Sequence, residues 1–150
     1  MWQRIQTVFL VITILALLIA LVQPIWQVQS GDSVITLTPF YLLQNGQYTY
    51  LPYSITAVLA VAGITLAIIE IRRYDNRQTQ IKLGAFNSLI LALVMISAVW
   101  FTSELSKDHT VGFRYGLGLY LTFVAVISNW LAVRFIRRDE RIVKDSDRLR

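Results

Sequence analysis

Four long stretches without a charged side chain limit what this chain can fold into. They lie between Arg4 and Asp32, Asp32 and Glu70, Lys82 and Glu104, and Arg114 and Arg134. A soluble domain of 150 residues needs polar faces on its helices. The apolar runs within these stretches are apolar all round, so they need a non-aqueous neighbour. Only 15% of the residues are charged while 55% are hydrophobic, and the charges gather in short blocks between the apolar runs.

The first span is expected over about 5–23, behind the basic lead ending at Arg4, with Pro24 where a helix should stop. A cleaved signal peptide is the competing reading. Gln23-Pro24-Ile25-Trp26 offers no small-x-small site, and further spans follow, which favours a retained anchor. The second, third and fourth spans are expected over about 54–71, 83–101 and 115–135, with a charged tail over 136–150. Between the first two spans, residues 25–53 are rich in Gln, Thr, Tyr and β-branched residues, with turn signals at Ser30-Gly31-Asp32 and Gln44-Asn45-Gly46. Trp26–Gln29, Val34–Thr38 and Gln47–Leu51 therefore read as strands of a small antiparallel cap. The expected fold is an all-α membrane protein, a single four-transmembrane-helix bundle with a small extracytoplasmic β-rich cap.

Lys and Arg set the orientation. Arg4, the connector residues Arg72, Arg73, Arg77 and Lys82, and the tail residues Arg134, Arg137, Arg138, Arg141, Lys144, Arg148 and Arg150 would share one side, leaving Lys107 and Arg114 on the other. Both termini are thus expected in the cytoplasm. Trp2, Trp26, Tyr53, Tyr74, Trp100, Phe101, Tyr115 and Trp130 fall near the span ends, as interfacial aromatic rings do. The formal charge of +5 is explained by this topology and by anionic lipid rather than by nucleic acid.

Three stretches carry a family likeness. They are Gln3-Arg4-Ile5-Gln6-Thr7 at the start, Asp75-Asn76-Arg77-x-x-Gln80-Ile81-Lys82-Leu83 followed by Phe86-Asn87, and Arg137-Arg138-Asp139-Glu140-x-x-Val143-Lys144-x-x-Asp147-Arg148-Leu149-Arg150. With them the chain resembles the four-span bacterial membrane family catalogued as domain of unknown function 4293, found mainly in the Bacteroidetes group. The resemblance covers the whole chain and implies a multi-pass protein of the bacterial inner membrane. It implies no activity, substrate or cofactor. Its motifs sit in the lead, the connector and the tail, whereas a transporter more often carries its signature at the midplane.

Little in the residues suggests catalysis. The absence of cysteine removes thiolate metal sites and sulfur nucleophiles, and no serine sits in a nucleophile elbow. His109 is the only histidine and reads as a solvated loop residue, since a metal would need further ligands beyond Asp108 and Glu104. Gly112, Gly116 and Gly118 lack the Lys-Ser/Thr pair of a phosphate loop. Gly112-x-x-x-Gly116 instead suggests two small residues one turn apart on a packing face. Asn87 with Ser88 and Asn129 are placed to hydrogen-bond between helices as structural glue. Glu70, one turn before Arg73, reads as one half of an ion pair. In the tail Phe135, Ile142 and Leu149 recur every seven residues beside Ile136 and Val143, an apolar seam that needs a surface to cover.

Neither a catalytic residue nor a cofactor or metal site is expected. The expected role is a non-catalytic scaffold or accessory or assembly factor whose contact surface is the connector and tail, with Arg77, Gln80, Asp139, Glu140, Asp147 and Arg148 as candidate interaction residues. Gly112, Gly116, Asn87 and Asn129 are the candidate packing residues. The bilayer is the expected partner and, through the tail, another membrane protein or a second copy. The alternative is a small transporter or channel with a path along Asn87, Ser88, Ser97 and Asn129. A lipid enzyme is the weakest reading, to be reopened by a cleft holding Glu70 and several arginines.

Overall fold

A computed structural model describes residues 3–30, 33–73, 76–108 and 112–148, with side chains described as far as Val143 at the C-terminal end. Its elements in chain order are α1 (Gln3–Val22), β1 (Trp26–Ser30), β2 (Ser33–Leu37), β3 (Leu42–Gln44), β4 (Gln47–Thr49), α2 (Ser54–Arg72), α3 (Arg77–Asp108), β5 (Phe113–Tyr115) and α4 (Leu117–Arg148). All four helices are long and apolar enough to cross a membrane. The helices α3 and α4 have 32 residues each, about 48 Å at 1.5 Å per residue, against a hydrocarbon layer of about 30 Å. Both outrun the spans expected for them, because charged residues at a helix end can continue the helix into water as readily as stop it.

Each helix packs on its neighbours in the chain, and α1 closes the ring on α4. The middle of the bundle is an apolar layer of Leu17, Ile64, Leu91 and Val94 with the small residues Ala16, Ala60 and Ala125. Small side chains let helices approach where lipid offers no hydrophobic force to bring them together. Gly63 is such a point, since a Cβ there would lie 3.1 Å from Leu91.

At one end of the bundle a five-stranded antiparallel sheet runs in the order β4-β3-β2-β1-β5. Alternation gives it one apolar face: Trp26 pairs with Leu37 and Val28 with Ile35, and all four side chains are buried, while Gln27 and Gln29 between them are exposed. The buried face seats on Ala98, Phe101 and Leu105 of α3. The sheet draws strands from both connections at this end, since β5 comes from the α3–α4 connection. Of the connection expected between the third and fourth spans, residues 102–108 are instead the last turns of α3, and Phe113–Tyr115 form a strand.

One expectation is corrected by the helix boundary. Gly112 and Gly116 are not a turn apart on a helix, because β5 lies between them and α4 starts at Leu117. Gly112 adopts φ +81°, a left-handed conformation before the strand. Gly116 serves a close approach. Its N–H donates to the Ile25 carbonyl at 2.8 Å, the Gly118 N–H donates to the Pro24 carbonyl at 2.9 Å, and the start of α4 thereby docks on the chain entering β1.

Candidate functional site

The end of the bundle opposite the sheet carries most of the Lys and Arg, and it also holds the buried polar residues of the bundle that have most to explain. On α2 the buried positions Ala57, Ala60, Gly63, Ile64, Ala67 and Glu70 form one helical stripe. This stripe turns Glu70 inward, where it is fully buried, while Arg72 and Arg73 are exposed. The ion pair expected of Glu70 is thus not formed. Neither carboxyl oxygen has a hydrogen-bond partner among the described residues. The carboxyl group fits because Gly84 of α3 leaves room: a Cβ there would stand 2.6 Å from Glu70 Oε1 and 2.5 Å from Val133 of α4. The Gln80 side-chain amide closes the end of the stripe by donating to the Glu70 main-chain carbonyl at 3.1 Å.

One to two turns deeper lies a cluster joining α3 and α4. Asn87 Nδ2 donates to Asn129 Oδ1 at 3.0 Å, and both residues are fully buried. Asn129 Nδ2 in turn donates to Ser88 Oγ at 2.8 Å and to the Gly84 carbonyl at 3.3 Å. Asn87 Oδ1 has no hydrogen-bond partner among the described residues. Because Asn87 and Asn129 sit in one network, removing them singly and together is expected to show a coupling energy of about 0.6–1.7 kcal/mol in a double-mutant cycle. Unfolding of Asn87→Ala, Asn129→Ala and the double variant in mild detergent measures it, and strict additivity would refute the pairing.

The connector, the start of α1 and the continuation of α4 are tied together beside this layer. Gln6 Nε2 donates to Asp139 Oδ2 at 3.1 Å, Arg77 Nη1 donates to the Asp139 main-chain carbonyl at 3.3 Å, and Phe9 stacks on Phe135 with ring centroids 5.5 Å apart. Among the candidate interaction residues, Arg77, Gln80 and Asp139 are therefore engaged within the chain. For buried Gln80 this corrects the expectation of a contact residue. Glu140 is half-buried. The side chains of Asp147 and Arg148 lie outside the described residues, as do His109 and Leu149. Of the tail seam, Ile136 is buried, while Ile142 and Val143 are exposed.

On the outer side of α3 and α4 at this same end lies a groove of about 840 Å³. Its α3 wall includes Ala85 and Ser88. Its α4 wall carries Trp130 and then Arg134, Arg137, Arg138 and Arg141 on one helical face. The Arg134 guanidinium lies 5.4 Å from the centre of the Trp130 ring, within cation–π range. Val133 lines this groove and also stands beside Gly84.

No group of three or more potential metal-ligating residues occurs among the described residues. A profile described as domain of unknown function (DUF4293) matches residues 2–149. The chain belongs to this family. No curated protein matches it. The family match takes in all four helices and the whole sheet, so the polar layer, the tied connector and the arginine groove all lie within the family's domain.

The inward turn of Glu70 and the arginine groove are the two features of this end that the expectations from sequence did not include. The small-residue stripe Ala57, Ala60, Gly63, Ala67 was the available sign that Glu70, three residues further, continues an inward face. The arginine face from 134 to 141 was legible as i, i+3, i+4, i+7 spacing, but the α3 wall that makes it a groove was not.

Proposed function

We propose that this protein is a non-catalytic scaffold or accessory factor of the bacterial inner membrane, of the Bacteroidetes-type membership its motifs resemble. In this reading both termini are cytoplasmic, following the Lys and Arg bias. Its contact surface is the protruding end of α4. The observation that carries this is the exposure of Ile142 and Val143 at 53% and 44% on a helix whose base is held rigid by Gln6, Arg77 and Phe9. An apolar pair held out on an ordered stalk suits recognition by another membrane component.

A photoreactive residue at position 142, in cells expressing the full chain at native level, is expected to give one discrete heterologous adduct. Ile142→Ser with Val143→Ser should prevent co-purification of that same species while the protein still inserts and accumulates. Absence of any adduct, or adducts with the chain itself alone, would overturn the reading.

A second reading, a small transporter or channel, draws on the carboxyl of Glu70, unpartnered among the described residues, and on the Asn87, Ser88 and Asn129 cluster. Against it stands the apolar layer of Leu17, Ile64, Leu91 and Val94 across the bundle. Ser97, assigned to the expected path, is instead engaged with Thr56 at 3.0 Å on the far side of that layer. Flux through reconstituted vesicles that Asn129→Leu abolishes would revive it.

A further inference from the structure

We propose that the groove between α3 and α4 binds the phosphate of an anionic phospholipid, with the acyl chains running down past Trp130 and Ala85 toward the bilayer centre. The site goes beyond the scaffold reading and does not depend on it.

Depth is the first argument. About 20 helical residues cross the hydrocarbon layer, so a span starting at Leu117 reaches the far boundary near Ile136. Arg134, Arg137, Arg138 and Arg141 then lie at the headgroup level, within about two turns of one another. Trp130 sits just below them, where an indole ring marks the boundary.

Chemistry is the second. The groove contains four guanidinium groups and no acidic side chain among the described residues. Arg134, Arg137 and Arg141 have no carboxylate partner among those residues. Guanidinium groups offer paired N–H donors that match the non-bridging oxygens of a phosphodiester. A basic pocket between membrane helices is the arrangement that recognises anionic headgroups. Packing of Arg134 on Trp130 restrains one of these donors before any ligand arrives.

Shape is the third. The volume of about 840 Å³ exceeds what one inorganic phosphate fills, and the groove continues from its arginines down to Ser88 and Ala85 rather than closing around an anion. That continuity with the apolar surface favours a lipid over free phosphate.

The test is native mass spectrometry of the full-length protein, released from detergent and titrated with phosphatidylglycerol or phosphatidylcholine. Wild-type protein is expected to retain phosphatidylglycerol at least about tenfold better than phosphatidylcholine, and millimolar inorganic phosphate should not displace it. Arg134→Gln with Arg137→Gln and Arg141→Gln should remove most of that preference. The control triple Arg72→Gln, Arg73→Gln and Lys82→Gln, with the same loss of charge from the connector, should keep it. Equal loss in both triples would reduce the effect to general surface charge and overturn the site. Equal retention of the two lipids by wild-type protein would overturn it without any variant, and displacement by inorganic phosphate would assign the groove to a soluble anion instead.

Discussion

Gly116→Ala is expected to lose about 3 kcal/mol of stability, at the upper end of overpacking penalties. A Cβ on Gly116 would collide with the carbonyl oxygen of Pro24 and crowd the carbonyl carbon of Ile25, both main-chain atoms that cannot rotate away. Relief would need the start of α4 to move off the chain entering β1, which breaks the Gly116 and Gly118 hydrogen bonds and loosens the seat of the sheet together. Gly112→Ala provides the contrast. There the nearest atom to an added Cβ is the Gln29 carbonyl oxygen at 3.8 Å, so only the left-handed backbone is penalised, by about 1–2 kcal/mol. Denaturant unfolding of both variants in mild detergent separates the two mechanisms. Equal losses would show that the start of α4 is not tightly docked on Pro24.

Glu70→Leu is expected to change stability in the other direction, by about 1–3 kcal/mol in favour of the folded protein. A buried carboxyl group with neither oxygen hydrogen-bonded carries a desolvation cost that a leucine of similar volume does not. The neighbours that would receive it, Gly84 and Val133, are apolar or small. A group retained at the expense of stability points to use rather than support, so the stabilised variant should lose whatever phenotype the intact protein confers. The same unfolding assay reads the first half, and complementation of a deletion strain reads the second. Marked destabilisation by Glu70→Leu would mean that the carboxyl group is structural.

The four crossings were legible because an uninterrupted apolar run has few alternative fates, and the alternation in Trp26–Gln29 and the β-branched run Val34–Thr38 announced the sheet for a similarly local reason. Harder to read were features that depend on which elements meet. Phe113-Arg114-Tyr115 is too short to declare itself a strand and becomes one only because β1 offers an edge. Leu42–Gln44 is likewise recruited by β2. The inward turn of Glu70 depends on the phase of a stripe whose other members are small, and small residues are ambiguous between packing and mere tolerance. Gly112 and Gly116 mimicked a helix-packing motif because spacing alone does not say where a helix begins. The connector and tail motifs stood out in sequence, but their tie through Asp139 to Gln6 joins positions from opposite ends of the chain.

The origin of β5 bears on the order in which the protein can be made. Once the first two helices have left the ribosome, β1 to β4 are complete and can pair among themselves. The outer edge of β1 at Trp26, Gln27 and Val28 has no strand to close it until Phe113–Tyr115 arrives, more than half the chain later. Through that interval the nascent protein presents an open edge, the kind of surface on which strands from other chains add. Insertion of the third and fourth helices as a hairpin delivers β5 to it and removes the hazard. Translation arrested between the third and fourth helices would therefore leave an aggregation-prone product, even with three helices already in the bilayer.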